Sequence, residues 1–425
     1  MDVEIHGRGM NSGTTSSRSR ASRKPFILAT FFEGSPEEGG GYVHKVGVLR
    51  VLERIQGSAL KIVVICADDA ALATVKGIGL QGIVQRRTFL RRVSGALSGV
   101  AAVKRYVGTS LGLKISPVDK LLTSLGVDLV FFSGPDPRAR QLYSHNYIFS
   151  IWDLAHLEHP EFAEVSLFGE FERREYMYTA ATRRAVAVIA DSRPGARLIA
   201  EAYRIPEERV YSAPFLMSPT IGKFQGNEQD AIAVRRKYEL KVPYIFYPAQ
   251  FWEHKNHCYI LSALRVMLDQ YGWAPQAVFC GADKGAFSGV MECAADLNLS
   301  DLVKYCGFVP DGDIPYLYKG ALALVMPTYF GPSNLPPMEA VCLGTPVCYS
   351  DFPAFREAMG DSVVYVDLER PAALAEAIDA IHRGKSLIQE QGAATYKAKL
   401  EGAEDTYLAT LQEIIRRYQK KRGFR

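Results

Sequence analysis

The sequence predicts an α/β protein of two domains, each a parallel sheet covered by helices on both faces. Three observations predict it. Short apolar runs, rich in β-branched and aromatic residues, recur along the chain and are apolar throughout rather than alternating, the mark of strands covered on both sides. Stretches of helical spacing separate the runs. A polar stretch over 218–240, with Gly222, Gly226, Asn227 and many charges, divides them into two sets. At 425 residues and 48% hydrophobic composition, the chain is too long for one ordinary domain and apolar enough for two cores.

Taken in order, residues 1–24 hold Ser, Gly and Arg (SGTTSSRSRASRK) with almost no large apolar side chains, and are expected to form a disordered, mildly basic tail. The first domain, 25–217, contains the runs FILAT (26–30), KIVVIC (61–66), DLVFF (128–132), YIFSIW (147–152) and AVAVIA (185–190). Between them, Tyr42 to Ile55 carries Val46, Leu49 and Leu52 at helical spacing, and Arg193 to Tyr203 is helical in composition. After the 218–240 linker, the second domain, 241–400, repeats the pattern with YIFYP (244–248), AVFCG (277–281), LALVMP (322–327), TPVCYS (345–350) and VVYVD (363–367). The last segment, 401–425, is expected to be a helix with a basic tail, IIRRYQKKRGFR, which either crosses back to the first domain or stays solvated.

Composition excludes several classes. Fifty basic residues against 46 acidic give +4, too balanced for a dedicated nucleic-acid protein. The seven cysteines, Cys66, Cys258, Cys280, Cys293, Cys306, Cys342 and Cys348, form no CxxC and read as reduced, buried thiols. No stretch approaches the roughly 18 apolar residues of a spanning helix, and the N-terminus lacks an apolar signal region, so a cytoplasmic protein is expected.

The stretch richest in chemistry is Met326 to Ser350, MPTYFGPSNLPPMEAVCLGTPVCYS. A buried strand ends at Pro327, a loop with Gly331, Ser333 and Asn334 follows, and Pro336 and Pro337 open a helix where a missing N–H costs little. The amides of Ser333, Asn334 and Leu335 then point at whatever fills the loop, and the helix dipole favours an anion such as phosphate. Glu339 in that first turn either accepts the two hydroxyls of a ribose or complements its own helix dipole.

This segment resembles the donor-site motif of the family 4 glycosyltransferases, group 1 type, retaining enzymes of the GT-B fold in which two glutamates flank seven residues before an LPxLEA-type helix. Leu335-Pro336-Pro337-Met338-Glu339-Ala340 matches the second half, while the place of the first glutamate, eight residues before Glu339, is held by Gly331. Phe246-Tyr247-Pro248-Ala249-Gln250-Phe251-Trp252-Glu253-His254-Lys255-Asn256 resembles the strand and loop that carry an Arg and a Lys to the donor diphosphate. Lys255 stands at the lysine, and Gln250 stands where the arginine would be. A compact ammonium reaches phosphate without a bidentate fork.

Further marks follow in the family's order. Gly39-Gly40-Gly41 resembles its glycine-rich N-terminal loop, though a plain turn has the same composition. Ile151-Trp152-Asp153-Leu154-Ala155-His156 lies where family members place an Asp and a nearby His at the cleft, which makes Asp153 and His156 the catalytic candidates. Asp153, His156 and His159 also have the spacing of metal ligands on one helix face, against which Pro160 argues for a loop; His254 and His257 read as structural. Asp191-Ser192, Arg209-Val210-Tyr211 and Gly307-Phe308-Val309-Pro310-Asp311 fit the layout, the last near the nucleotide base. From Ile83 to Lys114 seven basic residues and no acidic one interleave with apolar residues, either a face for an anionic membrane or an ordinary solvated face.

The resemblance implies a GT-B architecture, two Rossmann-like domains facing across a cleft. It implies a transferase moving a hexose-type sugar from a nucleotide-sugar to a glycan or lipid-linked acceptor with retention and without a metal cofactor, in bacterial surface polysaccharide or lipopolysaccharide assembly at the inner face of the membrane. In that reading Lys255, Ser333, Asn334, Leu335, Gln250 and Gly331 surround the donor, and Glu339 holds its ribose. The alternatives are a non-catalytic GT-B binding protein, favoured by Gly331 and Gln250, and an epimerase on the same fold.

Overall fold

The computed structural model describes residues 24–85, 116–331, 334–385 and 390–423. The expected tail, nearly all of the basic 83–114 segment, Ser333 and the last two residues lie outside these. Two parallel sheets form the frame. The first holds β1 (Phe26–Phe32), β2 (Leu60–Cys66), β3 (Gln81–Val84), β4 (Leu129–Phe132), β5 (Tyr147–Ile151), β6 (Ala187–Ala190) and β7 (Val210–Ser212), in the order 3-2-1-4-5-6-7. The second holds β8 (Tyr244–Pro248), β9 (Gln276–Cys280), β10 (Val303–Tyr305), β11 (Ala323–Met326), β12 (Val347–Ser350) and β13 (Val364–Val366), in the order 10-9-8-11-12-13.

The unbroken apolarity of the runs has the expected cause. In β1, Phe26, Leu28 and Phe32 enter a core that includes Leu49 and Leu52 of α1 (Gly40–Ile55), while Ala29 and Phe31 enter the core on the opposite face with Val130 and Phe149. The register of β1 on β2 runs from Phe26 opposite Leu60 to Phe32 opposite Cys66. In the second domain, helix α2 (Leu335–Leu343) follows β11 and ends at Gly344, whose φ of 78° is the left-handed cap expected there.

The stretch expected as a linker is largely structured. Helices Pro219–Gly222 and Glu228–Lys237 occupy it, and Ile221, Val234 and Tyr238 join the second domain's core. Few apolar residues suffice because each helix turns a single narrow face inward. Helix α3 (Ala403–Lys421) returns to the first domain, as one of the two readings of 401–425 had it, and buries Tyr407, Leu411, Ile414 and Tyr418 in that domain's core. The cysteines are free thiols; Cys66, Cys280 and Cys348 are buried as expected, whereas Cys258, Cys293, Cys306 and Cys342 are only half-buried. Among the described residues no helix is long and apolar enough to cross a membrane.

Candidate active site

The carboxyl ends of β1, β5 and β6 face those of β8 and β11 across a cleft. In parallel sheets these ends gather loops and helix N-termini, the usual place for a ligand. After β1, a short turn at Pro36–Glu38 leads to Gly39, whose φ of 76° and ψ of −138° suit a residue without a Cβ. Gly40 and Gly41 open α1. A Cβ on Gly40 would stand 3.3 Å from Leu335 Cδ1 of the other domain, and one on Gly41 would stand 3.1 Å from the Trp152 ring. All three glycines therefore line the cleft, and the backbone comes close because they carry no side chain.

Two adjoining cavities occupy the cleft. The first, about 390 Å³, has Trp152, Asp153 and Asp191 on the first domain's side and His254, Lys255 and Gly331 on the second's. Ser192 caps the following helix by accepting from Gly195 N–H at 3.1 Å, and its own hydroxyl donates to Asp191 Oδ1 at 2.9 Å, which fixes Asp191 at the rim. Lys255 Nζ donates to Asn334 Oδ1 at 3.0 Å. Burial pulls the Lys255 ammonium down to about 8, against Asp153 and Glu164, which favour its charge. The Asn334 carboxamide also donates to Gly331 O and, at 2.9 Å, to Tyr349 Oη, so it ties the 330–334 turn to the cation. Gly331 has φ of 92°, and a Cβ there would meet Asn334 Oδ1 at 2.9 Å. A glutamate at Gly331, where the resemblance would place one, would hold a left-handed φ and displace the Asn334 carboxamide that binds Lys255.

The second cavity, about 420 Å³, shares Gly39, Gly40, Gln250, Leu335 and Pro336 with the first and continues to Gly307, Phe308, Val309, Asp311 and Glu339. Gly307, Phe308, Val309 and Asp311 thus line the part of the cleft next to Glu339. Glu339 is 9% exposed and its Oε2 accepts from Tyr318 Oη at 2.8 Å. Burial, with a smaller push from Asp311, raises its carboxyl to about 7 despite that hydrogen bond. Gln250, in place of the arginine, spans the domains: its Nε2 donates to Glu37 O at 3.2 Å while Oε1 accepts from Trp252 Nε1 at 3.0 Å.

The remaining candidates divide. Asp153 lines the first cavity, with Oδ1 accepting from Arg174 Nη1 at 2.9 Å and Ala155 N–H at 3.0 Å. His156 requires a correction. It sits on a single helical turn, Ala155–Glu158, rather than a loop, and that turn rotates its ring into the core. There it is fully buried between Phe171 and Tyr178, with Nε2 3.0 Å from Glu175 Oε1, away from the cavity. His159 turns to Glu161, so Asp153, His156 and His159 point to three different partners. The Asn334 amide, expected to face an anion, donates instead to Gly331 O at 3.2 Å, leaving Leu335 as the expected amide-bearing residue that lines both cavities. Arg209 bonds carbonyls of Thr182 and Ala185 and Tyr211 accepts from Arg417, at the opposite end of the sheet.

Sequence reasoning missed His254 and Glu164. His254 lines the first cavity, and both its backbone N–H and its Nδ1 meet Glu164 Oε1, at 3.1 and 2.7 Å. The signal was its place directly before Lys255; its partner, 90 residues earlier, left no mark in the sequence. His257 is structural as expected, stacked on Phe251 at 4.3 Å. Chemically, the cleft offers a half-buried cation near a helix start, a carboxylate with free acceptor capacity some distance along it, and apolar walls between, the pattern that suits a nucleoside diphosphate with a further group attached.

Comparison with known proteins gives the same direction. Residues 229–398 match the family described as Glycosyl transferases group 1. The chain is 33% identical over 116 residues to the O-antigen chain mannosyltransferase RfbU of Salmonella typhimurium, covering 27% of this chain and 32% of that one. It is 38% identical over 65 residues to the O-antigen chain mannosyltransferase B of Escherichia coli, covering 15% and 17%. The chain thus matches about a third or less of those relatives' length. Among solved structures, Anabaena HepE in complex with UDP-glucose superposes with a TM-score of 0.67 at 16% identity, over 93% of this chain and 99% of that one. WaaG, a glycosyltransferase involved in lipopolysaccharide biosynthesis, superposes with a TM-score of 0.63 at 14% identity, over 90% and 98%. These likenesses show the GT-B fold.

Proposed function

We propose that this chain, whose residues 229–398 match the glycosyl transferases group 1, moves a hexose-type sugar from a nucleotide-sugar to a glycan or lipid-linked acceptor, with retention, in bacterial surface polysaccharide or lipopolysaccharide assembly. One observation carries this reading: Lys255 and Glu339 stand on one domain at either end of a continuous cleft whose far wall is the Gly39–Gly41 loop. The relatives named for O-antigen mannosyl transfer and the neighbour solved with UDP-glucose support it.

In this reading the diphosphate lies by Lys255 and Leu335 at the start of α2, the ribose hydroxyls on Glu339 and the base beside Gly307–Val309. As the sugar acquires oxocarbenium character, negative charge grows on the departing nucleoside diphosphate. A fixed ammonium and a helix end stabilise that charge without reorganising, so no resident metal is required of the proposal. Asp153 and Asp191 face the sugar end from the first domain, and domain closure excludes water there. A non-catalytic binding protein is the second reading, favoured by Gly331 and Gln250 at two charged family positions.

The test is a melting panel of UDP-, GDP-, dTDP- and ADP-sugars, followed by nucleoside diphosphate release with and without a lipid-linked glycan fraction. One nucleotide class at about 100 times its Kd is expected to add roughly 2.7 kcal/mol, and Lys255→Ala and Glu339→Gln to cut the shift by about half or more. Release that depends on acceptor supports transfer; change of the sugar without acceptor indicates an epimerase; binding without release indicates the non-catalytic reading.

A further inference from the structure

We propose that Glu164, from the first domain, is a positioning residue for Lys255: by gripping His254 it fixes the loop of the second domain that carries the cation, so that the approach of the domains completes the cation site. The inference rests on the reading of Lys255 as the diphosphate cation.

The geometry is specific. Glu164 sits on the short helix Ala163–Ser166 between Phe162 and Val165, which with Ala155 form a small apolar cluster against Tyr329 and Phe330 of the other domain. Its side chain is 9% exposed, and a carboxylate so placed is costly unless its lone pairs are filled. Two donors meet it, both from His254 and both on Oε1, at 3.1 and 2.7 Å. The His254 ring stacks on Phe330 at 3.8 Å, and Tyr329 N–H donates to His254 O at 3.0 Å. Phe162 closes the block against Tyr329 and Phe330, with ring centroids at 5.2 and 5.7 Å. The two loops that wall the first cavity are therefore bound to each other and to one short element of the opposite domain. The Ala155, Phe162 and Val165 cluster that flanks Glu164 is separate from the main cores of both domains, which places the contact at the cleft.

Charge adds a second consequence. The groups facing Lys255 are Asp153 and Glu164, which favour its ammonium, and His254 and His257, which burial holds neutral, down to about 4 and about 3. With its ring neutral, His254 presents the Nδ1 proton to the Glu164 carboxylate. Removing the Glu164 charge leaves burial opposed by Asp153 alone, so Lys255 loses its proton at lower pH.

The experiment uses the full chain with Glu164→Gln, and Glu161→Gln as a neighbouring control. Competitive acetylation of Lys255, followed by mass spectrometry from pH 6 to 10, reads its protonation without any ligand; inorganic pyrophosphate titrated by calorimetry reads the site. Glu164→Gln is expected to move the acetylation midpoint down by about one pH unit and to weaken pyrophosphate about fivefold at pH 8, the gap closing toward pH 6. Glu161→Gln leaves both unchanged. An unchanged midpoint and unchanged pyrophosphate affinity in folded Glu164→Gln overturn the proposal while leaving the donor-site reading intact. A shifted midpoint in a protein that binds no pyrophosphate upholds the role of Glu164 and removes the donor-site reading instead. Should Glu164→Gln not fold, Glu164→Asp keeps the charge but withdraws it by one methylene, and is expected to move the midpoint the same way by less.

Discussion

Glu339, the proposed ribose ligand, shows how a binding role conflicts with stability. Its carboxyl is raised to about 7 by burial, so the folded protein holds its proton where the unfolded chain has already released it. That contribution is fully present below the ordinary carboxylate range and is lost as pH rises through 7. Glu339→Gln is therefore expected to melt with wild type near pH 4.5 but above it at pH 8, by the order of 2 kcal/mol, while its nucleoside diphosphate affinity falls at least about tenfold, since a carboxamide has one acceptor for two hydroxyls. Melting curves at the two pH values and calorimetry at pH 8 check both halves. At this scale the sequence singled out Lys255, Glu339 and the three glycines, leaving a dipole role for Glu339 and a plain turn for the glycines open, and the fold gathers all five along one cleft. It misled at His156, where proximity to Asp153 stood in for geometry: one helical turn rotates the ring away from the cleft into the core beside Tyr178. It was silent on Glu164, whose partner is distant in the chain.

At the scale of elements, the long central strands were legible because burial on both faces writes an unbroken apolar run. β3, β7 and β10 were missed because they are four, three and three residues long, lie at sheet edges and are only partly buried. Edge position removes the need for apolar residues on both sides. Helix α3 is the clearest case of an element whose role composition alone left open. Its basic end was visible, yet its Tyr407, Leu411, Ile414 and Tyr418 are what seal the first domain beneath α1. Leu411→Ala, at a fully buried position, is expected to cost about 2–5 kcal/mol, read as a lower urea midpoint for the first domain although the change lies at the far end of the chain. A midpoint equal to wild type would show that α3 packs without contributing.

For the molecule as a whole, function follows from how two similar sheets are set face to face. Each half brings only part of the site. The first supplies Gly39–Gly41, Asp153 and Asp191, the second Lys255, Gly331, Leu335 and Glu339, and Gln250 reaches from one to the other at the Glu37 carbonyl. The sequence marked the second half through its motifs and the first only diffusely, and the contacts between them carry no local pattern and became visible only with the fold. The central claim is that this cleft holds a nucleoside diphosphate in one orientation. A crystal structure with the nucleoside diphosphate that raises the melting temperature tests it most directly. The account predicts a diphosphate oxygen within about 3 Å of Lys255 Nζ and ribose hydroxyls on the Glu339 carboxylate. A nucleotide bound outside the cleft, or within it with Lys255 and Glu339 untouched, would contradict it.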